Sequence, residues 1–166
     1  MNSVTLIGMP GAGKSTIGRR LAGQLGFRFI DLDVLIKEKE DKSHTQIVKE
    51  KGDAELLRLE ETYTLALDFM KTVFSPGGSI IYSPLAMEKL RSETTIIYLE
   101  LPFLEIKKRL GLNLEHRGIV GLGKNGLEGL YKERAPLYRR FAHRTIDCRD
   151  LSDKEVIKRI YEILQH

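Results

Sequence analysis

Short continuous apolar runs alternate along the chain with stretches whose apolar residues recur at helical spacing. Val4-Thr5-Leu6-Ile7 is apolar and β-branched and stops at Gly8, as a buried strand does. Residues 14–25 put Ile17, Leu21 and Leu25 on one helical face, and Gly26 ends that helix. A second strand is expected over residues 27–32. Helical stretches follow over 34–39, 45–51 and 54–71, with Gly52 breaking the chain between the last two. Residues 72–75 read as a third strand ahead of Pro76-Gly77-Gly78. Residues 84–91 read as a helix and 95–100 as a fourth strand, and Pro102 opens a helix to residue 110. Residues 130–142 are helical, 145–147 form a fifth short strand, and Ser152 caps a last helix. Strands alternating with helices predict an α/β fold, a parallel sheet covered on both faces. Ligands of such sheets bind at the carboxyl ends of the strands. The Gly8 loop, Asp31 with Asp33, and Gly77-Gly78 all follow strands and are expected to meet in one cleft.

Residues 111–129 break this pattern. Gly111, Gly118, Gly121, Gly123, Gly126 and Gly129 fall there with Arg117 and Lys124 among them, and apolar periodicity is weak. Long glycine-rich segments inside compact domains are usually functional and often act as lids. The lid is placed at about residues 111–125.

Composition narrows the class. A chain of 166 residues suits one domain, 1–166, and 42% apolar with 30% charged residues is the balance of a soluble globular protein. The one cysteine, Cys148, excludes an internal disulfide and a cysteine-based metal site, so a cytoplasmic location is expected. The first residues lack a signal-peptide pattern and no run is long enough to span a bilayer, so no membrane partner is expected. The net charge is +4, with basic residues crowded between Lys107 and Arg144. Such a cluster either binds anions or forms a solvated basic face. No zinc pattern, aromatic-rich strand or basic tail accompanies it, so nucleic acid is not the expected partner.

The sharpest motif is Gly8-Met9-Pro10-Gly11-Ala12-Gly13-Lys14-Ser15, which fits G-x-x-x-x-G-K-[ST] between a strand and a helix. Its glycines let backbone N–H groups turn inward around a phosphate, and the next helix adds its positive end. Lys14 can bridge β- and γ-oxygens, and Ser15 is the expected Mg²⁺ ligand. The motif implies nucleotide binding without deciding the fate of the phosphate. Asp31 and Asp33 can divide the remaining work, one holding Mg²⁺ through water and the other taking a proton from an attacking hydroxyl. Alternatively, one of them caps the next helix.

The opening LIGMPGAGKSTIGRRLAGQLGFRFIDLDVLI and the later ERAPLYRRFA (Glu133 to Ala142) resemble shikimate kinases. The order of elements between them also agrees. The resemblance implies a five-stranded parallel sheet of the nucleoside-monophosphate-kinase type, a mobile lid, and a substrate-binding subregion at about residues 32–62. It implies ATP and Mg²⁺, a small-molecule substrate and a monomer. Gly11, Ala12, Gly13, Lys14, Ser15 and Thr16 would cradle the phosphates, with Ser15 and Asp31 at the metal. Asp33 would bind substrate hydroxyls and act as base. Gly78, Arg134 and Glu60 would face the substrate. Arg117 would be the lid arginine, with His116 as the alternative.

The acceptor end departs from the family. Leu57 stands where the family has an arginine that grips the substrate carboxylate. Arg58 is next in sequence but about 100° away around a helix. It substitutes only if the helix turns or its side chain curls back. Val48 and Leu56 replace phenylalanines, and Ser79 replaces a glycine. Three readings follow: a shikimate kinase, a kinase of another small hydroxylated metabolite, or a non-catalytic ATP-binding module.

Overall fold

The computed structural model describes residues 3–166. Its frame is one parallel sheet of five strands in the order β2-β3-β1-β4-β5. β1 (Ser3–Ile7) lies at the centre, with β3 (Thr72–Ser75) and β4 (Thr94–Glu100) on either side. β2 (Arg28–Asp31) and β5 (Arg144–Asp147) form the edges. Every residue of β1 and β3 is buried, because helices cover both faces, and this is why those strands read as unbroken apolar runs. The edge strands are more exposed and carry charge.

Helix α1 (Lys14–Leu25) turns Ile17, Leu21 and Ala22 inward. Its Gly18 lies against the ring of Phe29, where a Cβ would come within 2.6 Å. α2 (Leu32–Glu40), α3 (His44–Lys51) and α4 (Asp53–Ala66) then build the wall beyond β2. Ser43 and Gln46 form a reciprocal cap at the start of α3, and Ser152 with Glu155 do the same for α8 (Asp153–Gln165). α5 (Pro84–Glu93) starts on Pro84 and the Ser83 cap. α6 (Phe103–Leu110) leads into a 3₁₀ stretch, Gly111–Arg117, and then α7 (Leu122–Phe141). No helix of the described residues is long and apolar enough to cross a membrane.

Three boundaries differ from expectation. α4 stops at Ala66 instead of 71, where Leu67 turns extended. A helix continued to residue 71 would leave no chain to turn into β3 at Thr72. β2 ends at Asp31 because Asp31 caps α2, whose first residue is Leu32. The glycine-rich segment is also more ordered than its composition suggests, since helical backbone resumes at Leu122 and is interrupted only at Gly126. Buried Leu127 and Leu130 offset the helix cost of its glycines, about 1 kcal/mol each.

Candidate active site

At the carboxyl ends of β1, β2 and β3 lies a cleft of about 460 Å³. The phosphate loop forms its floor. Lys14 is only 8% exposed, and its Nζ donates to the carbonyls of Gly8 and Met9 at 2.8 and 2.9 Å. Burial lowers its pKa to about 8, against the pull of Asp33. Keeping this ammonium charged below that pH therefore costs about 3 kcal/mol of stability. Such a cost is tolerable where the cation has an anion to meet. Gly11, Gly13, Ser15 and Thr16 line the cleft beside it. Ala12 is buried behind the loop, its N–H donating to the Met9 carbonyl.

Ser15 Oγ donates to Asp31 Oδ2 at 2.6 Å. Asp31 Oδ1 also accepts from the backbone N–H groups of Asp33 and Val34. The capping role expected of one member of this Asp-x-Asp pair thus falls on Asp31, the residue that also accepts from Ser15. The Ser15 hydroxyl and the Asp31 carboxylate form an all-oxygen donor pair facing the cleft next to Lys14, which suits Mg²⁺.

Asp33, in the first turn of α2, also lines the cleft. Its side chain is 55% exposed to that space, yet the walls displace enough water that desolvation raises its pKa. His44 opposes the shift, Asp31 adds to it and Lys14 opposes it.

The far wall comes from α3, α4, the 3₁₀ turn Gly78–Tyr82 and α7. Arg134 is a fully buried side chain. One guanidinium nitrogen donates to the Val120 carbonyl at 2.7 Å, its face covers Tyr82, and its Nε has no partner. Glu60 is buried beside it and accepts from Ser79 Oγ at both carboxylate oxygens, 2.8 and 2.6 Å. Desolvation lifts Glu60 to about pH 7, with Ser79 resisting the shift. Gly78 is the tight point of this wall, since an added Cβ would lie 2.9 Å from both Arg134 and the Tyr138 hydroxyl.

The segment after α6 packs on α3 and lines the cleft. Thr45 Oγ1 donates to the His116 carbonyl at 2.7 Å, and the Gly121 N–H donates to Asp53 at 2.9 Å. Gly118 adopts φ +58° and rests on the His44–Thr45 backbone, so a Cβ would come within 2.6 Å. Only glycine satisfies both conditions. Arg117 lines the cleft, whereas His116 is exposed outside it.

Arg58 does not reach the site. Its side chain is 60% exposed and pairs with Glu55 one turn back. The expected substitution for the missing arginine is therefore corrected: α4 keeps the register that turns residue 58 outward. Leu57 is half-buried against the core, and its neighbour Leu56 lines the cleft instead. Sequence reading missed His44 and Arg109. His44 lines the cleft, and Arg109 reaches the Gly11 carbonyl from α6 at 3.4 Å. Neither belongs to a local motif. Each arrives from a separate element, and only the three-dimensional packing reveals it.

The shikimate kinase family model matches residues 10–165. A shikimate kinase of Clostridium botulinum is 32% identical over 98% of this chain and 97% of its own length. One from Mycobacterium bovis is 36% identical over 96% and 92%. Among solved structures, a shikimate kinase from Acinetobacter baumannii in complex with shikimate superposes with a TM-score of 0.90 at 28% identity, covering 99% of this chain and 93% of that one. A deoxyadenosine kinase from M. mycoides, 20% identical with a TM-score of 0.64, shares the fold alone. Matched from the phosphate loop through α8, and at full length by relatives above 30% identity, this chain belongs to the shikimate kinase family.

Proposed function

We propose that the protein transfers the γ-phosphoryl group of ATP to a hydroxyl of shikimate. The observation that carries this reading is the meeting, in one cleft, of a buried cation on a phosphate loop, a Ser15–Asp31 pair, a raised carboxyl on Asp33 and a buried arginine. The backbone from Gly11 to Thr16 cradles the phosphates. Lys14 Nζ exchanges the Gly8 and Met9 carbonyls for phosphate oxygens. Ser15, and Asp31 through water, would hold Mg²⁺, which offsets phosphate charge when bound. Asp33 takes the proton of the acceptor hydroxyl as its oxygen attacks the γ-phosphorus, and its raised pKa makes it a stronger base for that step. Arg117 meets the charge that develops on the transferred group. Arg134 binds the acceptor carboxylate, while Gly78 and Glu60 complete the wall. Residues 111–125 act as a lid that excludes water, since open access would turn transfer into hydrolysis. The reading extends to a monomer in the cytoplasm; sedimentation and cell fractionation test those two points.

The deciding experiment is ADP release from Mg-ATP with shikimate, then with a panel of hydroxy acids, sugars and nucleosides. Shikimate-dependent ADP is the expected result. ADP with another acceptor alone would reassign the substrate, and silence with all despite ATP binding would overturn catalysis.

A further inference from the structure

His44 lines the cleft with no hydrogen bond at Nε2. Its side chain is only 13% exposed, and Nε2 is buried and makes no hydrogen bond. Nε2 lies 3.7 Å from Asp33 Oδ1, near enough for attraction and too far for a hydrogen bond. Buried polar atoms are almost always satisfied, so an orphan that faces a ligand cleft calls for an explanation. Nε2 is closed to water as the cleft stands, so an oxygen reaches both groups only when the two side chains part slightly.

We propose that His44 is a specificity-determining residue, its Nε2 binding the same acceptor hydroxyl that Asp33 holds. The proposal rests on the reading of this cleft as a shikimate site. It assigns the acceptor end a polar anchor that Arg58 and Leu57 do not supply: the first faces solvent and the second is apolar and half-buried against the core. Asp33 can then hold the hydroxyl from one side while His44 fixes its direction from the other. An acceptor lacking that hydroxyl leaves both groups unpaired, which is how buried sites reject such analogues.

The test compares steady-state kinetics of the unaltered protein, His44→Leu and His44→Gln, with shikimate and with analogues lacking one ring hydroxyl each. In His44→Leu the KM for shikimate should rise at least about tenfold, with the KM for ATP unchanged. His44→Gln, whose amide reaches toward the position of Nε2, should recover most of the loss. One deoxy analogue should be penalised in the unaltered protein and much less in His44→Leu, because the partner of the missing hydroxyl is already gone. An unchanged shikimate KM in His44→Leu, or an equal deoxy penalty in both proteins, would overturn the proposal. Equal losses in the leucine and glutamine variants, with both melting early, would also overturn it by making His44 structural. Absence of shikimate-dependent ADP from the unaltered protein would instead sink the substrate reading on which it rests.

Discussion

The two ends of the cleft are built on different physical plans. At the phosphate end the loop between β1 and α1 supplies the floor as one continuous stretch, and Asp31 and Arg109 join it from β2 and α6. At the acceptor end, α2, α3, α4, the turn after β3 and α7 each contribute one or two side chains. Backbone cradles depend on glycines and spacing, and so they tolerate little change. A wall of side chains from five elements can be altered one residue at a time. The residues at which the sequence was expected to depart from the family, Leu57, Val48, Leu56 and Ser79, all lie on elements of the second kind of wall. Ser79 also shows how such a change is accommodated, since its hydroxyl satisfies the Glu60 carboxylate.

The largest effect should come from the phosphate end. Lys14→Met should lower kcat/KM about a thousandfold and weaken ATP binding, as read by steady-state kinetics and calorimetry. Asp33→Asn, at the boundary, should lower kcat about a hundredfold or more while the ATP dissociation constant holds. If ATP binding fell equally, the division between the two ends would be wrong.

Acceptor-end changes should be smaller. Glu60 titrates near pH 7 when folded and near 4.5 when unfolded, so the folded state holds the extra proton between those values. Stability should therefore fall as pH rises from 4.5 to 7, by about 3 kcal/mol in all. Glu60→Gln should remove that slope in denaturation curves and be the more stable protein at pH 8. Leu57→Arg should lower the KM for shikimate about tenfold, the worth of one charge-assisted hydrogen bond. An unchanged KM would show that residue 57 does not address the acceptor. Arg58→Ala should do least, leaving the melting temperature and both KM values unchanged, because its pair with Glu55 is exposed.

How much of this was legible in the sequence follows the same division. The central strands announced themselves through apolar runs, since a sheet buried on both faces leaves little choice of residue, and most helices did so through periodicity and caps. The phosphate loop was legible because its residues are close in sequence, whereas Asp31 meets Ser15 from 16 residues away, at the end of β2. His44 was not readable. It follows Ser43, whose visible role is to cap α3, and nothing near it in sequence reveals that Asp33 lies 3.7 Å away. Arg58 was misplaced for a related reason. Its proximity to residue 57 in sequence suggested a substitute, but the i,i+3 pair with Glu55 and the packing of Leu56 and Leu59 turn it to solvent. The order hidden in residues 122–129 was masked by glycine content, because the leucines that hold it find their partners only in the folded core.

The buried ammonium of Lys14 also makes nucleotide binding a proton-coupled event. With a pKa of about 8, part of the free protein carries Lys14 uncharged in mildly alkaline solution. Phosphate oxygens at Nζ favour the charged form, so each such molecule must draw a proton from the buffer as ATP arrives. Between about pH 8 and 10 the measured binding heat should change with the ionisation heat of the buffer, and apparent ATP affinity should decline as pH rises. A single lysine would thus set the alkaline edge of the protein's working range.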